Sequence, residues 1–166
     1  MKKVILVTGA SSGMGKEAAR KLINEGHTVY TVARRIDQMQ DLKALGGYPM
    51  RMDVTNEEDI QTVVDTIIEK EGKIDVLWNN AGYGLYGSVE DVSLAEARKQ
   101  MEVNVFGLAA VSQIVVPHMR KAKSGLISDL IKGKYNNHVP YPKNIRDAKA
   151  FVEQYKKYAK FPERSC

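Results

Sequence analysis

The chain has 166 residues, 25 lysines and arginines against 20 aspartates and glutamates, a formal charge of +5 and 43% apolar residues; one domain with a working core is expected, and a wholly disordered or collagen-like chain is excluded. The single cysteine, Cys166, leaves no internal disulfide, which points to a reducing compartment. Val4 to Val7 is too short for a secretory core, and Val105 to Val116 is broken by Ser112 and Gln113, so no membrane span is expected and the protein is read as soluble and cytoplasmic.

In chain order, Lys3 to Thr8 holds the continuous apolar run Val-Ile-Leu-Val, the pattern of a strand covered on both faces. A glycine-rich turn follows over Gly9 to Gly15, then a helix over Lys16 to Glu25 that ends at Gly26. His27 to Ala33 reads as a second strand, a short helix stops at Gly46-Gly47, and Tyr48 to Val54 reads as a third strand. Thr55-Asn56-Glu57-Glu58 is a capping box opening a helix with Ile60, Val63, Val64, Ile67 and Ile68 on one face. Ile74 to Trp78 is a fourth strand, and Ser93-Leu94-Ala95-Glu96 a second capping box. A helix over about Met101 to Lys121 is apolar around most of its girth, which predicts burial on more than one side. Strands alternating with helices specify an α/β fold: a doubly wound parallel sheet with helices on both faces.

Beyond Ser124-Gly125 two readings stand. Leu126 to Ile131 fits a fifth strand, while Ile127, Leu130 and Ile131 also fit helical spacing. Lys132 to Pro142 reads as loop, and Asn144 caps an expected last helix at about 144–160 with Ile145, Ala148, Val152, Tyr155 and Ala159 as its stripe. Residues 1–128 carry 16 basic and 16 acidic side chains, so the whole excess charge lies in residues 129–166, with four of the eight tyrosines. The expected division is a dinucleotide-binding domain over 1–128 and a basic, Tyr- and Lys-rich tail over 129–166.

The chemistry-bearing motif is Thr8-Gly9-Ala10-Ser11-Ser12-Gly13-Met14-Gly15, between the first strand and the first helix. Glycines there let the backbone turn sharply and approach a pyrophosphate, and the free amides of the helix start point at the anion. With Asn79-Asn80-Ala81-Gly82 after the fourth strand and Asn104 in Val103-Asn104-Val105-Phe106-Gly107, the chain closely resembles the short-chain dehydrogenase/reductase family over about residues 1–127. The resemblance implies a Rossmann-type sheet, truncated here after the fourth or fifth strand. It also implies an NAD or NADP coenzyme and hydride exchange with a small-molecule carbonyl or alcohol. By position it places Gly9, Ser11, Ser12, Gly13, Met14 and Gly15 at the pyrophosphate. Asp53 and Val54 fall at the adenine, Asn80, Ala81 and Gly82 beside the adenosine ribose, and Asn104 among the catalytic residues.

Coenzyme choice follows from charge. An acidic residue about 20 positions after the glycine turn holds the ribose hydroxyls of NAD, whereas arginine accommodates the extra phosphate of NADP. The second strand ends Val32-Ala33-Arg34-Arg35 with no carboxylate before Asp37, so NADP is favoured over NAD. The family's Tyr-x-x-x-Lys pair is absent, because no tyrosine is followed four residues later by lysine. Ile131 and Lys132 occupy the positions expected for the catalytic serine, and Ser128, the nearest hydroxyl, comes three residues early. Little or no turnover is therefore expected. The alternatives are a non-catalytic nucleotide-binding or interaction protein and a shortened derivative of a full-length dehydrogenase. His27, His118 and His138 have no ligand spacing, so no metal is expected. The basic tail reads as a solvated face rather than a nucleic-acid surface, and the apolar helix at 101–121 as a homo-oligomer contact.

Overall fold

The Val-Ile-Leu-Val run becomes the centre of the molecule. In the computed structural model, which describes residues 1–129, it forms β1 (Val4–Thr8), every residue of it buried. Beside it lie β2 (Thr28–Ala33), β3 (Tyr48–Arg51), β4 (Val76–Asn79) and β5 (Leu126–Asp129), all parallel, in the order β3-β2-β1-β4-β5. The chain builds outward from β1 through β2 to β3, then returns to the other side of β1. A crevice opens at that reversal, at the carboxyl ends of β1 and β4.

Alternation along the strands assigns each residue to one of two cores. Leu6, Tyr30, Val32 and Leu77 pack against α3 (Glu57–Glu71) and α5 (Leu108–Lys121), through Ile60, Val63, Val64, Ile67, Val111, Val115 and Met119. Ile5, Val7, Val29 and Ala33 face α1 (Gly13–Asn24) and α2 (Gln40–Ala44), where Ala19, Leu22, Ile23 and Leu42 cover them. Both faces of the sheet are thus clad in helices, as expected of a doubly wound fold. On β3, a sheet edge among the described residues, Pro49 sits where its missing amide is tolerated. Tyr48 stacks on Tyr30 at 4.9 Å between ring centroids.

Several boundaries differ from the expectations. The third strand stops at Arg51 rather than Val54, because Asp53 Oδ1 accepts from the Thr55 amide at 3.0 Å and from its hydroxyl at 2.8 Å, turning the chain out of the sheet. Thr55 is thereby occupied, and the N-cap of α3 is Asn56, whose Oδ1 accepts from the Asp59 amide at 3.0 Å. The second capping box forms at Ser93 and Glu96 as read. It opens α4 (Leu94–Met101), which continues through one turn of π-helix (Glu102–Gly107) into α5. Within α5 a single stripe, Val111, Val115 and Met119, is buried, while Met101, Val105 and Phe106 before it are exposed, so the expected burial on more than one side does not occur among the described residues.

The open choice at Leu126 resolves to strand. β5 pairs in register with β4, Leu126 opposite Val76 and Asp129 opposite Asn79. Asn79 Nδ2 ties the end of the pair together, donating to Asp129 Oδ1 at 2.9 Å and to Ser112 Oγ on α5 at 3.0 Å. The expected helix at 144–160, and the tail as a whole from residue 130, lie outside the described residues.

Candidate dinucleotide-binding site

At the carboxyl ends of β1, β2 and β4 an open groove of about 290 Å³ runs between the loops. Gly9, Ser11 and Ser12 line one wall and Arg34 and Arg35 one end. Asp53 and Val54, then Ala81, Gly82 and Tyr83, complete it, with Val32, Ala33, Met52 and Val103 supplying apolar surface.

The glycine turn is shaped by contacts that exclude side chains. Gly9 has φ +67°, and a Cβ there would lie 2.7 Å from Ala81 Cα, so the loop after β1 and the loop after β4 abut through backbone alone. Thr8 stitches the same seam: its buried hydroxyl accepts from the amides of Asn80 and Ala81, both at 3.0 Å. Asn80 lies beneath the turn rather than in the groove. It is 1% exposed, and its Nδ2 donates to Thr8 O at 3.0 Å and to Gly9 O at 3.1 Å. Asn80 therefore supports the wall that its neighbours Ala81 and Gly82 form.

The start of α1 suits an anion. Ser12 is its N-cap in extended backbone and makes no side-chain cap hydrogen bond, so the first amides of the helix are not capped from within it. No acidic residue occupies the first turn, in contrast to α3, whose first turn carries Glu57, Glu58 and Asp59. Gly13, with φ +57°, and Met14 stand exposed at this end.

Across the groove, Arg34 and Arg35 are exposed and form no ion pair within the described residues. Arg34 is close enough to influence Asp53. Partial burial works to raise that carboxyl, but the Thr55 amide and hydroxyl and the charges of Arg34 and Arg51 lower it overall. Arg51 is committed elsewhere, to Asp59 at 3.0 Å. Arg34, Arg35 and the Ser12 N-cap of the acid-free helix start thus line one groove, an arrangement that can receive an anion.

Asn104, in the π turn, does not line the groove. Its Nδ2 donates to Tyr83 O at 2.8 Å and its Oδ1 accepts from Tyr83 N at 3.0 Å, so both ends of its amide grip one backbone residue of the loop. Gln100 Nε2 adds a third bond, to Tyr83 O at 3.0 Å. The spacing of Gln100 and Asn104, four apart on one helical face, was the available signal that both reach one point. Ser128 lies on β5 in register with Trp78, outside the residues lining the groove.

Residues 3–132 match the short chain dehydrogenase family model. A 3-ketodihydrosphingosine reductase of Bacteroides thetaiotaomicron is 37% identical over 154 residues, 92% of this chain and 55% of the relative. The 7alpha-hydroxysteroid dehydrogenase of Escherichia coli is 35% identical over 131 residues, 75% of this chain and 51% of its own. Among solved structures, a short-chain dehydrogenase from Streptomyces avermitilis superposes with a TM-score of 0.73 at 38% identity, over 76% of this chain and 48% of that one. The chain spans about half the length of the relatives it matches.

Proposed function

The chain belongs to the short-chain dehydrogenase family, and from that premise we propose that it binds NADP(H), in preference to NAD(H), as a cytoplasmic oxidoreductase of the carbonyl and alcohol class. The observation that carries the reading is the pairing of the acid-free α1 start with Arg34 and Arg35 on one groove. The amides at Gly13 to Gly15 receive the pyrophosphate, with the hydroxyls of Ser11 and Ser12 beside them. Arg34 and Arg35 take the phosphate on the adenosine ribose, Asp53 and Val54 border the adenine, and Ala81 and Gly82 border the ribose, backed by Asn80. When bound, the nicotinamide supplies or accepts the hydride. Asn104 keeps the loop at Tyr83 in place through its doubly engaged amide.

A second reading is favoured by a separate observation. No tyrosine precedes a lysine by four, and the amide of Asn104 is taken up by backbone. Without a positioned proton donor, general-acid assistance worth about 10²–10⁴ in rate is lost. The chain on its own is then a coenzyme-binding protein with little turnover. Self-association through the helical stretch at 101–121, where Met101, Val105 and Phe106 are exposed, belongs to either reading. Calorimetric titration with NADPH and NADH, followed by NADPH oxidation across a panel of aldehydes and ketones, tests both. Tight NADPH binding with negligible oxidation is expected. Absence of binding sinks the first reading, and brisk oxidation sinks the second.

A further inference from the structure

Lys16 directly follows the third glycine of the turn and points away from the groove, toward the segment after β2. Its ammonium donates to Gln38 O at 2.7 Å and pairs with Asp41 at 2.9 Å. One helical turn on, Arg20 Nη2 holds the same carboxylate at 3.0 Å. Gln38 belongs to a 3-10 turn (Ile36–Met39) that starts immediately after Arg35, and its own amide donates to Arg35 O at 3.3 Å. Met39, at the end of that turn, is fully buried in the core beneath α1 and α2.

The short segment after Arg34 and Arg35 is therefore fastened twice, by Met39 into the core and by Gln38 and Asp41 to Lys16. Exposed ion pairs add little to stability. This one joins two separately encoded parts of the groove: the helix whose start faces the pyrophosphate, and the turn that presents the two arginines. Bidentate contacts to a phosphate depend on position as much as on charge.

We propose that Lys16 is a specificity-positioning residue: by bridging α1 to Gln38 and Asp41 it sets the Arg34–Arg35 turn at the spacing from the helix start that a 2′-phosphorylated dinucleotide requires. The inference rests on the NADP(H) reading above. It assigns the role to a side chain that does not line the groove, acting through another pair. Asp41 is its anionic half, and the Lys16 hydrogen bond lowers its carboxyl below the ordinary carboxylate value.

Two substitutions in the 166-residue chain separate position from charge. Lys16→Met removes a positive charge, so bridging and simple attraction both predict weaker NADPH binding. Asp41→Ala removes a negative charge, so simple attraction predicts tighter binding while bridging predicts weaker. Calorimetric dissociation constants for NADPH and NADH are measured for each variant, NADH serving as the control for folding. The expected result is a loss of about fivefold or more in NADPH affinity for both variants, NADH staying within about twofold, and recovery in Lys16→Arg. An Asp41→Ala protein that binds NADPH as well as or better than the parent overturns the bridge while leaving the coenzyme reading intact. A parent that binds both coenzymes equally overturns the coenzyme reading and the bridge with it.

Discussion

Gly15 and Asn80 occupy the same point from opposite sides of the seam: a Cβ on Gly15 would overlap the Asn80 carboxamide and lie 2.7 Å from Gly9 O. Asn80 cannot retreat, because it is buried and its Nδ2 is bonded to Thr8 O and Gly9 O. Gly15→Ala should therefore destabilise the protein by about 1–3 kcal/mol through overpacking, and lower NADPH affinity at least tenfold as the turn shifts. Gly13 is the contrast. Nothing lies within 4 Å of its Cβ position, and only its φ of +57° resists a side chain. Gly13→Ala should cost about 1 kcal/mol. Thermal unfolding and calorimetry on the two variants check the difference.

The bonds from Asn104 to Tyr83 give a second expectation. Asn104→Ala removes a donor and an acceptor from one backbone residue, and should destabilise by about 1 kcal/mol. The change should concentrate in the loop, as faster amide exchange at Gly82 to Gly84. Asn104→Asp keeps the acceptor for Tyr83 N but sets a carboxylate oxygen against Tyr83 O, so it should be no more stable than the alanine variant.

Arg34 and Arg35 should separate the two coenzymes. Replacing both with alanine removes charge-assisted bonds worth about 1.5–3 kcal/mol each to an ionised phosphate. NADPH affinity should fall at least tenfold while NADH affinity changes less than threefold, and the salt dependence of NADPH binding should weaken. Titration at two ionic strengths reads all three quantities.

Asp75 gives the pH dependence. It is buried at the start of β4, where its Oδ2 accepts from the Val4 amide at 2.8 Å, and Lys73 and Lys3 flank it. Burial works to raise its pKa, but the Val4 bond and the two ammonium groups lower it below the ordinary 3.8. A carboxyl lowered by folding contributes fully above its unfolded value, and the contribution is lost as pH falls through the folded value. Asp75→Asn should therefore be less stable than the parent by about 1 kcal/mol at pH 7, and the gap should close at acid pH, once the lowered folded value is passed. Urea unfolding at neutral and acid pH measures it.

The central strand, the glycine turn and the second capping box could be read from residue types, because each is dictated locally. Val4 to Val7 admits only a doubly covered strand, and Ser93 with Glu96 satisfies its helix end without outside help. Other features depend on partners distant in sequence. Thr55 lost the cap to Asn56 because Asp53 claimed it, and nothing in the local pattern ranks those acceptors. The π turn at Glu102 has no compositional mark, so its exposed Val105 and Phe106 read as helix core. The Lys16 to Asp41 bridge joins residues with no shared periodicity. Leu126 to Ile131 fits both the strand and the helix period, and only pairing with β4 decides Leu126 to Asp129 for strand.

The strand order also sets a sequence of events. β1 can pair with β2 once α1 is made, but its other partner lies far along the chain, the Val4 to Asp75 contact spanning 71 residues. Loop-closure entropy delays such a contact, so the cleft between β1 and β4 is completed late in folding. A ligand that needs that cleft recognises only the finished chain, and it should raise the melting temperature in proportion to the logarithm of its concentration above saturation.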